Sequence, residues 1–166
     1  VGRFPLERDP AAMLRQSVSA ESLGLEIGAH TQPLAGLTPF YADAVAYFAN
    51  TAGQVDFLAD AGALPLPDDT LDYLCSSHVL EHLPNPIAAL HEWHRVLRPG
   101  GSLYLVVPDK RYTFDHPRPV TSAAHLLSDF HHGRTAATSL DHVEEFVYPV
   151  SYTHLRAHET KANLVC

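Results

Sequence analysis

Basic residues are scarce in this sequence: 11 Lys and Arg stand against 19 Asp and Glu, a formal net charge of −8. No basic stripe is present to displace counterions from a polyanion, so nucleic acid is not expected as a partner. Cysteine is nearly absent. The two present, Cys75 and Cys166, cannot build a disulfide scaffold and suit a reducing, cytoplasmic setting. No run of about 18 apolar residues occurs, so no membrane-spanning helix is expected. The opening Val1-Gly2-Arg3-Phe4 has no Met and no charged-then-apolar secretory pattern, and the chain reads as a fragment at both ends. Internal repeats and low-complexity linkers are missing too. What is abundant is apolar residues, 46% of 166, enough for one domain with a buried core. Histidine is also abundant, with twelve copies that raise the question of a metal site.

The last stretch, Ser151-Tyr152-Thr153-His154-Leu155-Arg156-Ala157-His158-Glu159-Thr160, breaks the compositional trend. It resembles a translated sequencing-adapter tail. On that reading residues 1–150 form one domain fragment and residues 151–166 are not native. Dropping Arg156, Lys161 and Glu159 leaves nine basic and 18 acidic residues, so the acidity deepens to −9.

Local signals predict an alternation of strands and helices. Asp9-Pro10 opens a short helix through an N-cap and a proline at the first helical position. Strands are expected at 23–27, 39–42, 55–58, 71–76 and 102–107, with a short helix at 44–49. Asn85-Pro86 starts the clearest helix, and Arg98-Pro99-Gly100-Gly101 stops it. Its buried face is expected to include Ile87, Leu90, His94 and Leu97, beside Trp93. Helical patterns resume at 122–130 and again after Thr138, which has capping-box spacing to Asp141. The spacing predicts an α/β fold, a doubly wound and mostly parallel sheet with helices on both faces.

Three segments, in this order, carry a family resemblance. They are Leu25-Glu26-Ile27-Gly28-Ala29-His30; then Asp60-Ala61 with Leu64-Pro65-Leu66-Pro67-Asp68-Asp69-Thr70-Leu71-Asp72-Tyr73; then His78-Val79-Leu80-Glu81-His82-Leu83 followed by Leu97-Arg98-Pro99-Gly100-Gly101. Together they resemble the class I S-adenosylmethionine (SAM)-dependent methyltransferases, of the type 11-like domain, over roughly residues 22 to 110. Residues 107–115 further resemble a bacterial subgroup of these enzymes. The resemblance implies a Rossmann-like sheet, here lacking its last strands, and SAM as cofactor. It also implies a small-molecule or glycan-type methyl acceptor.

In open α/β sheets ligands bind past the carboxyl ends of the strands, where strand order reverses. By resemblance, Gly28 lets the backbone approach the cofactor, and Glu26 accepts backbone amides or faces its amino-acid end. Asp43 would accept the ribose hydroxyls, and Asp60 with Ala61 would hold adenine. Ser76 and Ser77 would close the pocket. Asp109, Lys110 and Arg111 would face the acceptor side, the two cations being suited to an anionic substrate, with Tyr112 and Phe114 as an apolar wall. Asp72 is expected to pin a turn or neighbouring amides. One departure matters: the loop Gly28-Ala29-His30-Thr31-Gln32-Pro33 keeps a single glycine. Either His30 or Thr31 contacts the cofactor's carboxylate along an altered path, or the pocket is weakened.

Among the histidines, His78 and His82 fall just past the fourth strand. Either could act as a general base toward a hydroxyl or amine acceptor; either could instead cap the short helix or contact the cofactor. His78-Val79-Leu80-Glu81-His82 also matches the H-x-x-E-H pattern of zinc peptidases. Pro84 and Pro86 would cut such a helix to little more than a turn, and no metal is expected. The readings carried forward are a SAM-dependent methyltransferase, a non-catalytic Rossmann-like binding module with a degenerate cofactor loop and, behind both, a zinc hydrolase using His78, Glu81 and His82. A nicotinamide dehydrogenase would need G-x-G-x-x-G at Gly28, which is absent.

Overall fold

The computed structural model describes residues 12–48, 50–113 and 116–135. Helix α1 (Ala12–Ser17) leads into β1 (Gly24–Ile27) and β2 (Phe40–Asp43). A two-stranded hairpin follows, β3 (Tyr47–Phe48) and β4 (Thr51–Ala52), and then β5 (Phe57–Leu58) and β6 (Leu71–Ser77). After a 3-10 turn at Leu80–His82 come α2 (Pro86–Val96) and β7 (Leu97–Val106). A second 3-10 turn (Lys110–Tyr112) precedes α3 (Ala123–His131). The main sheet has the order β5-β2-β1-β6-β7, and all four pairings are parallel. The chain moves outward from β1 through β2 to β5 and then crosses back to β6, so strand order reverses between β1 and β6. This is the expected α/β, Rossmann-like architecture.

Both faces of the sheet are covered. On one, Leu25, Ile27 and Leu74 pack with Ala89, Trp93 and Val96 of α2 and with Ala61 and Leu64 of the β5–β6 connection. On the other, Tyr73 and Cys75 pack against Leu14 of α1 and the partly buried Leu34 and Leu37. The central strands β1 and β6 are buried along almost their whole length because helices or loops cover them on both sides. Helix α2 is set by Asn85, whose side chain accepts the Ala88 amide at 3.0 Å, and by Pro86 in the first turn. Its buried stripe is Ala89, Trp93 and Val96. His94, expected on that face, is exposed, and so is Leu90.

Further expectations need correction. In place of the helix predicted at 44–49, strand β3 of the hairpin begins at Tyr47. Val45, Tyr47 and Phe48 favour extended backbone, and Asn50 takes a left-handed conformation (φ 61°) that reverses the chain. The Arg98-Pro99-Gly100-Gly101 segment, expected as a helix stop, lies inside β7. Helix α2 already ends at Val96, and Leu97 is extended. Leu97 pairs with Leu71 and Ser102 pairs with Tyr73, so the intervening segment bulges out of register. Gly100 supplies the positive φ (82°), and a Cβ on Gly101 would lie 2.9 Å from the Arg98 carbonyl and 3.2 Å from those of Leu71 and Asp72. Asp72 pins this corner as expected: Oδ2 accepts the Leu23 amide at 2.8 Å, and Oδ1 pairs with Arg98 at 2.5 Å. The strand predicted at 55–58 shortens to Phe57–Leu58. The helix expected after Thr138 and the tail at 151–166 lie outside the described residues.

Candidate cofactor site

Because the five strands run parallel, their carboxyl ends meet at one edge. That edge gathers Gly28 after β1, Asp43 at the end of β2, Asp60 after β5, Ser76 and Ser77 at the end of β6, and Asp109 after β7. The sequence-predicted residues therefore come together, around the point where strand order reverses.

Each has a definite setting. Glu26 is only 1% exposed, and both of its carboxylate oxygens lie 3.1 Å from the Leu34 amide. Burial raises its pKa above the usual carboxylate range, and the Leu34 hydrogen bond offsets part of that rise. Glu26 thus tethers the loop that leaves β1. Gly28 holds φ 73°, and a Cβ there would fall 2.3 Å from Val79 Cγ2. The close neighbour that its bareness admits is therefore a side chain from beyond β6. His30 also has positive φ (46°). Its ring Nε2 lies 3.3 Å from the Thr51 carbonyl, and its own carbonyl accepts the Gln54 amide at 2.8 Å. The loop is in this way braced against the β3–β4 hairpin.

The acids at the other strand ends are lightly engaged. Asp43 Oδ1 accepts the Val45 amide at 3.3 Å, and Asp60 Oδ1 accepts the Gly62 amide at 2.8 Å. Ala61 is buried, and its carbonyl accepts the Trp93 indole N–H at 2.8 Å. Across the reversal point, Ser76 is fully buried and its hydroxyl has no hydrogen-bond partner. Such orphans are uncommon in folded proteins and invite a ligand or water. Ser77 is half-buried, opposite Val106.

Past β6, His78 has φ 56°, and its amide donates to the Val106 carbonyl at 3.0 Å. This turn directs two imidazoles at one carboxylate: Glu81 Oε1 lies 3.4 Å from His78 Nδ1 and 3.9 Å from His82 Nε2. A zinc-peptidase helix does not form there, because Leu80–His82 is a 3-10 turn of three residues. Among the described residues, no group of three or more His, Cys, Asp and Glu side chains could hold a metal ion.

After β7 the two candidate cations have internal partners. Arg111 pairs with Asp109, Nη2 to Oδ2 at 2.5 Å, and this guanidinium lowers the Asp109 pKa to about 2. Lys110 Nζ donates to the His116 carbonyl at 2.9 Å and also to the Arg118 carbonyl. Tyr112 is 86% exposed, with the Arg111 guanidinium 5.8 Å from its ring centroid.

Comparison with known proteins agrees with this fold. The methyltransferase domain family matches residues 22–105, about half of the chain, and the chain belongs to that family. A demethylmenaquinone methyltransferase of Chlamydia muridarum is 30% identical over 110 residues, covering 66% of this chain and 43% of the relative. A 27-O-demethylrifamycin SV methyltransferase of Amycolatopsis mediterranei is 34% identical over 101 residues, covering 58% and 35%. Thus the chain spans less than half the length of these curated relatives. Among solved structures, a SAM-dependent methyltransferase of Thermotoga maritima shares 25% identity at a TM-score of 0.50, covering 66% of this chain and 54% of that one. A Pyrococcus horikoshii protein shares the fold at 19% identity and a TM-score of 0.53, covering 66% and 56%. The cofactor of this family is SAM, and the residues present fit it. Two carboxylates capable of accepting from hydroxyls and an amine lie at the carboxyl end of β2 (Asp43) and just past β5 (Asp60), and the buried, unpartnered Ser76 hydroxyl lies at the end of β6.

Proposed function

We propose that this chain carries the cofactor-binding part of a SAM-dependent methyltransferase that acts on a small-molecule or glycan-type acceptor. The observation that carries this reading is the gathering of Asp43, Asp60 and the unpartnered Ser76 around the strand-order reversal. Asp43 accepts the ribose hydroxyls, Asp60 with Ala61 holds adenine, and Ser76 and Ser77 close the pocket. Glu26, Gly28 and His30 shape the loop against the amino-acid end. Two relatives are named for small-molecule acceptors, demethylmenaquinone and 27-O-demethylrifamycin SV, which supports the acceptor class.

Bound SAM supplies a methyl group on a sulfonium already activated for in-line displacement, so the protein's task is alignment and exclusion of water. A proton must also leave a hydroxyl or amine acceptor. His78 directs Nδ1 at Glu81, which leaves Nε2 as the atom to receive it. His82 directs Nε2 at the same oxygen and keeps Nδ1. Asp109, Lys110 and Arg111 form the acceptor-side turn. The internal partners of the two cations make that turn a preorganised wall more than an anion clamp.

A second reading, a non-catalytic module, is favoured by the single-glycine loop and by His30 turned toward the hairpin. Calorimetry separates the readings, with SAM, S-adenosylhomocysteine and NAD titrated into the full chain. Binding of the first two and not of NAD is expected, weakened clearly by Asp60→Ala. Absence of heat with either adenosyl ligand, at protein concentrations that detect micromolar binding, refutes the methyltransferase reading.

A further inference from the structure

The β5–β6 connection, residues 59–70, carries the adenine corner and has little regular structure of its own. It is held from one side by three side chains near the end of α2. Trp93 is fully buried and donates Nε1–H to the Ala61 carbonyl at 2.8 Å. Glu92 Oε1 accepts the Leu64 amide at 2.7 Å. Arg95 forks onto Glu92, Nε to Oε2 at 2.8 Å and Nη2 to Oε1 at 2.6 Å. Its remaining donors reach the Leu66 carbonyl (2.9 Å), the Asp68 carboxylate (2.6 Å) and the Leu64 carbonyl (3.2 Å). The end of the helix adds backbone bonds from Asp69 to the Arg95 carbonyl and from Thr70 to the Val96 carbonyl, at 3.0 and 2.9 Å. Forked charge-assisted bonds of this kind are directional as well as strong. The same helix is capped by Asn85, three residues after His82, so it ties the reacting end of the crevice to the adenine end.

We propose that Trp93, Glu92 and Arg95 are positioning residues for the adenosyl group: without touching the ligand, they fix the corner formed by Asp60 and Ala61 relative to the exit of β6. This rests on the reading of that corner as the adenine site. Affinity for adenosyl ligands then depends on hydrogen bonds made behind the binding surface.

The test uses the full 166-residue chain, whose single tryptophan is Trp93. Its indole emission therefore reports on the bond to Ala61. S-adenosylhomocysteine is titrated into the wild type, Arg95→Lys, Glu92→Gln, Asp60→Ala and the double variant Asp60→Ala/Arg95→Lys, followed by calorimetry and emission. Saturation is expected to change the wild-type emission. Arg95→Lys and Glu92→Gln are each expected to weaken binding about tenfold with unchanged far-UV circular dichroism. In the double variant the loss should stay within about twofold of Asp60→Ala alone, because Arg95 acts through that corner. Losses that multiply instead overturn the positioning role while leaving the adenine site standing. Unchanged affinity in Asp60→Ala, or no binding by the wild type, overturns the adenine reading and the inference with it. If Arg95→Lys does not fold, Glu92→Gln, which keeps an oxygen for the Leu64 amide, enters the same cycle with Asp60→Ala.

Discussion

Two buried ionisable side chains meet on one face of the sheet. Glu26 is in register with Cys75 on the neighbouring strand, and both are essentially inaccessible to solvent. Burial raises the Glu26 pKa, so the folded state holds that proton more tightly than the unfolded chain does. The sign follows: stability falls as pH rises from the unfolded carboxylate value, about 4.3, through the folded pKa of Glu26. Glu26→Gln removes this dependence and retains an acceptor for the Leu34 amide. Its stability relative to the wild type should therefore improve as pH rises above the unfolded carboxylate value of about 4.3. Urea denaturation at a series of pH values measures this, and a relative stability that worsens with pH would mean that the amide outweighs burial. The Cys75 thiol is pushed up to about 12, by burial first and by Glu26 second. It should resist alkylation in the native protein at pH 8 and react only in denaturant, as peptide mass mapping would show.

At the scale of elements, what the sequence revealed depended on how local the cause was. The central strands β1 and β6 and helix α2 were legible because their apolar runs, the Asn85 cap and Pro86 lie within a few residues of one another. The strand-end acids Asp43 and Asp60 were picked out by the family resemblance, and they lie at the end of β2 and just past β5. The hairpin was not, because Ala44-Val45-Ala46 also suits a helix and the decision falls to Asn50 and to the bracing of Thr51 by His30. Nor was the β7 bulge, where Gly101 is fitted to carbonyls of the neighbouring strand. The Trp93 bond to Ala61 spans 32 residues, and no local pattern announces it. Glu92 and Arg95 at i, i+3 were the available signal. Long-range dependence of this kind can be tested at Asn85, which caps α2 and also donates Nδ2–H to the Asp129 carbonyl of α3 at 3.1 Å. Asn85→Ala should lose about 1–2 kcal/mol. Asn85→Ser keeps the cap and is too short to reach α3, so it should lose less. In both variants amide exchange should rise in α3, and unchanged α3 protection would show that the helix docks by other contacts.

At the scale of the whole molecule, the proposed ligand bridges segments far apart in the chain. The loop after β1, the ends of β2 and β5 and the exit of β6 meet only because the strands are parallel and the order reverses at the centre. A ligand recognised by all four binds the folded state and has no counterpart site in the unfolded chain. Its stabilisation then follows mass action, about 2.7 kcal/mol at a hundredfold excess over its Kd. For a domain of this size that corresponds to a rise in Tm of roughly 5–10 °C. S-adenosylhomocysteine should produce this rise in a thermal scan, and NAD should not. The hairpin braced by His30 makes the scan more informative. An adenosyl ligand that engaged only Asp43 and Asp60 would stabilise the β2–β5 side and leave hydrogen exchange at the Leu34 amide unchanged. Full engagement should slow exchange there too, because Glu26 ties that amide to β1. A thermal shift without added protection at Leu34 would confine recognition to the adenosine end and place the amino-acid end of the ligand outside the loop that begins at Gly28.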